Sequence, residues 1–212
     1  MKYGKLCDWR GAFSFFMGDL MADILQAAQK FNNLLDIEYK IVLGKKNKTI
    51  EFTIAFQETH FFHLAGLQHL KDLSTVFTES RVLIFRKILK GIIQKQQIES
   101  SESYNQIKDR IDYLIYLEQI MDSNETIYKY NPKLEIFSAI QADFLLKDQI
   151  QTRNIFTFLS QDKQSGKYFC RSFFPQIDKD YSEGQTTWTL LYKKKIYKSK
   201  NQETVLYDKL NK

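Results

Sequence analysis

NIFTFLSQDKQSGKYFCRSFF, residues 154–174, is the stretch from which the fold class is read. Two short runs rich in aromatic and β-branched residues, 154–159 and 167–174, are separated by a polar turn with Ser165-Gly166 and by no helical spacing. Strands that follow one another this directly pair antiparallel, because a parallel pair needs a crossover element between them. Downstream, 186–197 and 204–207 repeat the pattern, and upstream so do 126–130 and 134–142, on either side of Asn131-Pro132. Asp143 and Lys147 then flank a turn after residue 142 and read as exposed loop charges.

Ahead of this strand-rich half, 126–207, the apolar spacing changes. From Phe13 the residues Phe16, Met17, Leu20, Ile24, Ala27, Phe31 and Leu34 recur at three- and four-residue steps, the stripe of a long amphipathic helix. Alternating positions in 37–43 and 49–56 around a basic turn at 44–48 predict a hairpin. Helical spacing returns over 57–70 and, after a Ser/Thr-rich break at 74–80, in a helix carrying Val82, Phe85, Ile88, Leu89 and Ile92. Ser103 and Gln106 have capping-box spacing and open a helix that ends near Ser123-Asn124. Helices first and strands afterwards, without alternation, predict an α+β fold: N-terminal and central helices on an antiparallel sheet, with an early β-hairpin. The division is a helix in 1–36, accessory to one domain over 37–212 whose helical middle is 57–123.

The 212 residues weigh 25.2 kDa, 43% hydrophobic and 26% charged, enough for one full core and outside the disordered and fibrous classes. Eight glycines and two prolines leave little material for flexible linkers or glycine-rich phosphate loops, so Rossmann and P-loop readings start badly. The net charge of +6 and pI near 9.1 suit a polyanion partner and are equally common on proteins with none. The charge is in blocks: 81–98 holds Arg81, Arg86, Lys87, Lys90 and Lys95 without an acid, while 99–125 is acid-rich around Lys108 and Arg110. A second basic block, with Lys193, Lys194, Lys195, Lys198 and Lys200, lies near the C-terminus, and a groove between the two surfaces is a candidate phosphate site. Lys87, Lys90, Lys147, Lys193 and Lys195 are the candidate nucleic-acid-binding lysines. Cys7 and Cys170 match no ligand or redox spacing and read as two free thiols. Asp19 and Asp23 interrupt the apolar stretch 11–28, which fits neither a spanning helix nor a signal segment, so a cytoplasmic protein without membrane contact is expected.

All three histidines, His60, His63 and His69, fall within ten residues. On one continuous helix His63 shares a face with Phe56, Gly66, Leu67 and Leu70 and points at the core, His60 turns about 60° away and His69 lies near the opposite side. Two imidazoles at i, i+3 without a third converging ligand do not make a zinc site, so no metal is expected. His63 reads either as a core histidine bonded to a carbonyl or as a functional group. Gly66 tilts the balance, since a helical glycine one turn on costs about 1 kcal/mol and marks a close approach of backbone or ligand. Strict alternation puts Cys170, Ser172 and Phe174 on one strand face and Arg171 with Phe173 on the other. Ser172 lacks a glycine elbow, which disfavours a covalent nucleophile and leaves either a phosphate-directed hydroxyl or a structural one. Arg110, between Asp109 and Asp112, reads as a surface ion-pair residue or a phosphate clamp, and Tyr181 as a core aromatic or a base-stacking one.

The run Phe61-Phe-His63-Leu-Ala-Gly66-Leu67, then Ile140-Gln-Ala-Asp143-Phe-Leu-Leu, Ile155-Phe-Thr-Phe158-Leu and Ser172-Phe-Phe174 before Tyr181, resembles a phage-carried nuclease family grouped with barnase, EndoU, colicin and RelE. The resemblance covers roughly residues 35–197. It implies helices on a curved antiparallel sheet of about four or more strands, with RNA on the open face. It also implies a toxin-like, mobile-element-encoded ribonuclease that needs no metal or other cofactor, with RNA and an immunity or host protein as partners. His63 corresponds to the family's helix histidine and Ser172 to its late-strand hydroxyl residue. Arg171, Arg110 and Tyr181 complete the candidate catalytic set on chemical grounds, as cationic donors and an acid–base or stacking ring. A module that binds nucleic acid or protein without turnover is the competing expectation, and it requires His63 to be sealed among Phe56, Leu67 and Leu70.

Overall fold

The computed structural model describes residues 22–135 and 138–211. The first part of the N-terminal stripe, Phe13 to Leu20, and Cys7 lie outside the described residues. The first helix, α1, is Ile24–Leu34. Asp23 caps it by accepting from the Gln26 N–H at 2.7 Å while its own N–H donates to Gln26 Oε1 at 3.2 Å, a capping box that satisfies two end donors. Ile24, Ala27, Ala28, Phe31 and Leu34 are its buried stripe.

The hairpin follows as β1, Ile37–Lys45, and β2, Lys48–Ala55, closed by a two-residue turn in which Lys46 takes a φ of 53°. Five helices make up the described middle: α2 Glu58–Leu64, α3 Arg81–Leu89, α4 Lys95–Glu99, α5 Lys108–Leu114 and α6 Leu117–Asp122. Several differ from expectation. The helix expected over 57–70 stops at Leu64, because Gly66 turns left-handed at φ 79° and a separate 3-10 turn, Leu67–His69, follows. The helix expected from Ser103 is broken into a 3-10 turn, α5 and α6, and Ser103 makes no capping bond. Its N–H instead donates to the hydroxyl of Ser101, which is itself tied to Asp72.

The strands are β3 Ile127–Lys129, β4 Phe144–Ile150, β5 Arg153–Gln161, β6 Tyr168–Pro175, β7 Thr186–Tyr197 and β8 Gln202–Asp208. No strand occupies the described part of 134–142; Pro132 starts a 3-10 turn there, and the strand lies one element later, in β4. Lys147 and Asp148 disguise β4 as a loop, yet both find partners in place: Lys147 pairs with Asp180 at 2.6 Å, and the Asp148 carboxylate accepts from the Ser123 hydroxyl. The sheet is also larger than about four strands and it closes. Its order is β1-β2-β6-β5-β4-β3-β7-β8 with β1 paired to β7, so seven strands ring a barrel and β8 adds to the outside of β7. All pairings are antiparallel except a single parallel contact, Ile54 with Tyr168, between β2 and β6.

One continuous core joins the helices to one set of strand side chains, with Phe31 of α1 packing on Phe56, Phe61 and Phe85 at 5.6–6.1 Å. β5 is buried on both faces: Ile155 and Leu159 enter this core, while Phe156 and Phe158 join Tyr130 and Leu145 in a smaller aromatic cluster against Phe174 and Tyr181. No described helix is long and apolar enough to cross a membrane.

Candidate active site

A cleft of about 1050 Å³ opens between α2 with its following turn, the start of α3, one end of α5, and the outer side of β6 with its neighbouring loops. His63, Arg110, Arg171, Ser172 and Tyr181 all line it, as do His60, His69, Gln68 and Arg81. Five positions from separate stretches around 63, 110 and 171–181 thus meet in one concave surface.

Two irregularities build it. The first is the end of α2. A Cβ on Gly66 would stand 2.8 Å from Ile107 and 2.9 Å from the Arg110 side chain, so the glycine supplies both the left-handed backbone and the space through which Arg110 passes. Because the chain reverses there, Leu67 and Leu70 go to the core and His69 returns to the cleft that holds His63. The expected geometry of one continuous helix, with His63 core-facing and His69 on the far side, is corrected accordingly. Phe61 and Leu64 are the core-facing residues of α2, and His63 is half-buried.

The second irregularity is a β-bulge. Phe158 pairs with Ser172 and Leu159 with Cys170, which leaves Arg171 as the extra residue. The bulge overturns strict alternation: Cys170 and Phe173 both enter the core, whereas Arg171, Ser172 and Phe174 line the cleft. The Cys170 thiol is sealed, and burial pushes its pKa up to about 12.

The three imidazoles differ. His60 stacks on Phe169 at 4.9 Å and accepts the Gln57 N–H on Nδ1 at 3.2 Å, and burial pulls its pKa down to about 4, so it is a neutral wall of the cleft. His63 is held below its ordinary 6.5 by partial burial and then by the Arg81 guanidinium, with Arg171 and His69 adding to the effect and the Gln68 side chain opposing it. His69 is exposed, and its pKa is lowered by desolvation, Arg110 and Lys71.

The cleft carries free positive charge. Its Asp109 is paired with Arg153 at 2.6 Å, and its Asp162 accepts from Gln164 and Ser165 of its own turn. Among the described residues no carboxylate forms an ion pair with Arg81, Arg110 or Arg171. The surface pairing with Asp109 or Asp112 expected for Arg110 is therefore not made; its guanidinium lies over the Phe174 ring, 5.2 Å from the centroid. Among the described residues no group of three or more His, Cys, Asp or Glu side chains is arranged to hold a metal ion.

The candidate lysines lie elsewhere. Lys87 pairs with Glu79 at 2.7 Å, and Lys90 caps the end of α3. Lys147 sits inside β4, where it grips Asp180 and Ser182 and so fixes the loop that carries Tyr181. Lys193 and Lys195 are 2% and 4% exposed. The Lys193 ammonium is bonded to the Met121 and Ser123 carbonyls and that of Lys195 to Glu118 and Asp122, so neither is offered to a phosphate. Gln68 is the cleft residue that the sequence reading did not single out; Arg81 was counted only in a basic block, and His69 was turned to the side opposite His63. For His69 the available signal was Gly66, read as a helix end instead of an interior glycine.

A family model described as phage-Barnase-EndoU-ColicinE5/D-RelE like nuclease4 matches residues 23–210. Comparison with curated proteins and with solved structures gives no match.

Proposed function

The chain belongs to the phage-Barnase-EndoU-ColicinE5/D-RelE like nuclease family, and we propose that its activity is metal-independent endoribonucleolytic cleavage within the cleft of His63. The observation that carries this reading is the placement of an accessible, neutral imidazole beside arginines that have no carboxylate partner among the described residues. Cleaving RNA without a metal needs a base for the ribose 2′-hydroxyl proton, cations around the phosphorane and a proton for the 5′-oxygen. His63 takes the 2′-hydroxyl proton, the 2′-oxygen bonds to phosphorus, and the bond from phosphorus to the 5′-oxygen breaks. The leaving 5′-oxygen takes up a proton from water in the open cleft, and the His63 imidazolium returns its proton to solvent. Arg171 and Arg81 bear on the non-bridging oxygens, a role to which the planar guanidinium fork is suited. Ser172 orients the phosphate as a hydroxyl donor. The product is a 2′,3′-cyclic phosphate, and DNA is refused because deoxyribose lacks the attacking hydroxyl.

The test is incubation of the purified chain and its His63→Ala variant with total RNA in the presence of a chelator. Cleavage by the wild type that falls by about 10²–10⁴-fold in the variant supports the reading. Tight RNA binding without cleavage by either protein would instead favour a binding module on the same scaffold.

A further inference from the structure

The cleft is not uniform along β6. Arg171 and Ser172 stand at its middle, and two residues beyond Ser172 comes Phe174, about 7 Å further at the rise of a strand. Phe174 is stacked at 27° on Phe158 and meets the Tyr181 ring edge-on at 5.5 Å, so it is held in a fixed aromatic cluster. On this cluster lies Arg110, half-buried, over the Phe174 ring and without a carboxylate partner among the described residues. A desolvated guanidinium supported by an aromatic ring, in a cleft, is a flat π-surface more than a point charge. At the rim of the same cleft Ile177 stands 83% exposed, a large apolar side chain with nothing packed over it.

We propose that Arg110, Phe174 and Tyr181, rimmed by Ile177, form a subsite for one unpaired nucleobase next to the scissile phosphate. The inference rests on the ribonuclease reading above and adds to it the substrate class and a division of labour. Arg110 grips the base, while Arg171 and Arg81 serve the phosphate. A base can lie flat on this platform only when it is free of its own stack and partner, so the substrate is single-stranded RNA. The roughly 7 Å between Ser172 and Phe174 is of the order that separates a backbone phosphate from the base of its own nucleotide. Loop 178–182 is fastened for the purpose: Lys147 and the Ser182 hydroxyl both bond the Asp180 carboxylate, which holds Tyr181 against Phe156 and Phe158.

The experiment uses DNA oligonucleotides with a single ribonucleotide, which carries either its base or an abasic ribose. Wild-type protein should cut the base-bearing substrate about 5- to 150-fold faster, the range expected for one stacked base. Arg110→Lys keeps the charge and loses the plane, and Tyr181→Ala removes the ring. Each should shrink the ratio toward one by slowing the base-bearing substrate more than the abasic one. Equal wild-type rates on the two substrates, or a ratio unchanged in both variants, would overturn the subsite and leave the ribonuclease reading standing. If neither oligonucleotide nor total RNA is cut, the ribonuclease reading and the subsite both fall. The two wild-type rates need no variant, so a misfolded substitution does not decide the outcome.

Discussion

His63 is flanked by Arg81, Arg171, His69 and Gln68, and with partial burial the cations keep its imidazole neutral at pH 7. As a base it is ready in that form, and it is disabled by protonation. Its pKa is depressed, so activity should hold down through pH 6.5 and decline only below it. Removing a neighbouring cation has a predictable sign: Arg171→Ala lets the His63 pKa rise, which moves the acid-side fall in kcat/KM to higher pH as well as lowering its plateau. A pH–rate profile of the two proteins checks this, and an unmoved inflection would separate Arg171 from His63. At this scale the sequence was informative about residue types but not about where they point. Neither the pairing of His63 with His69 nor the approach of Arg81 follows from spacing along one helix.

Helix ends and a bulge, more than the regular parts of the elements, place these groups. Gly66→Ala adds a Cβ at 2.8 Å from Ile107 and 2.9 Å from Arg110 at a backbone φ of 79°. Strain and overpacking should together cost roughly 1–3 kcal/mol, read as a lower urea midpoint, and cleavage should fall with it as Arg110 and His69 shift. Undiminished stability would show that the turn relaxes freely. Among the elements, the hairpin, the strands after 153 and the helix at Arg81–Leu89 were legible from periodicity alone. β4 was not, because Lys147 and Asp148 break its apolar run and are satisfied only by partners distant in sequence, Asp180 and Ser123. The flip of Cys170 was not legible either, since one extra residue in β6 reverses every side chain beyond it.

Closure of the barrel belongs to the whole molecule. It depends on β1 meeting β7 and β2 touching β6, pairings across more than a hundred residues that no local pattern encodes. Closure also explains why the C-terminal basic block is not one surface: Lys193 and Lys195 of β7 turn inward under α6, and burial brings the Lys193 pKa down to about 8. Lys193→Ala should therefore destabilise by roughly 1–3 kcal/mol, by stranding the carbonyls of Met121 and Ser123. It should leave the salt dependence of RNA binding unchanged. Arg171→Ala should do the reverse, with little change in stability and a log–log salt slope shallower by about 0.7 for a single strand. Titration of a fluorescent single-stranded RNA at several salt concentrations, beside urea melts of both variants, measures the two effects separately.

The central claim is that the ribose 2′-oxygen is the nucleophile in the cleft of His63. Mass analysis of product ends tests it most directly, using an oligonucleotide with one ribose and its 2′-O-methyl counterpart, both in the presence of a chelator. The account predicts a single cut 3′ to the ribose ending in a 2′,3′-cyclic phosphate, and an intact methylated strand. Cleavage of both strands, or ends bearing a 5′-phosphate, would contradict it.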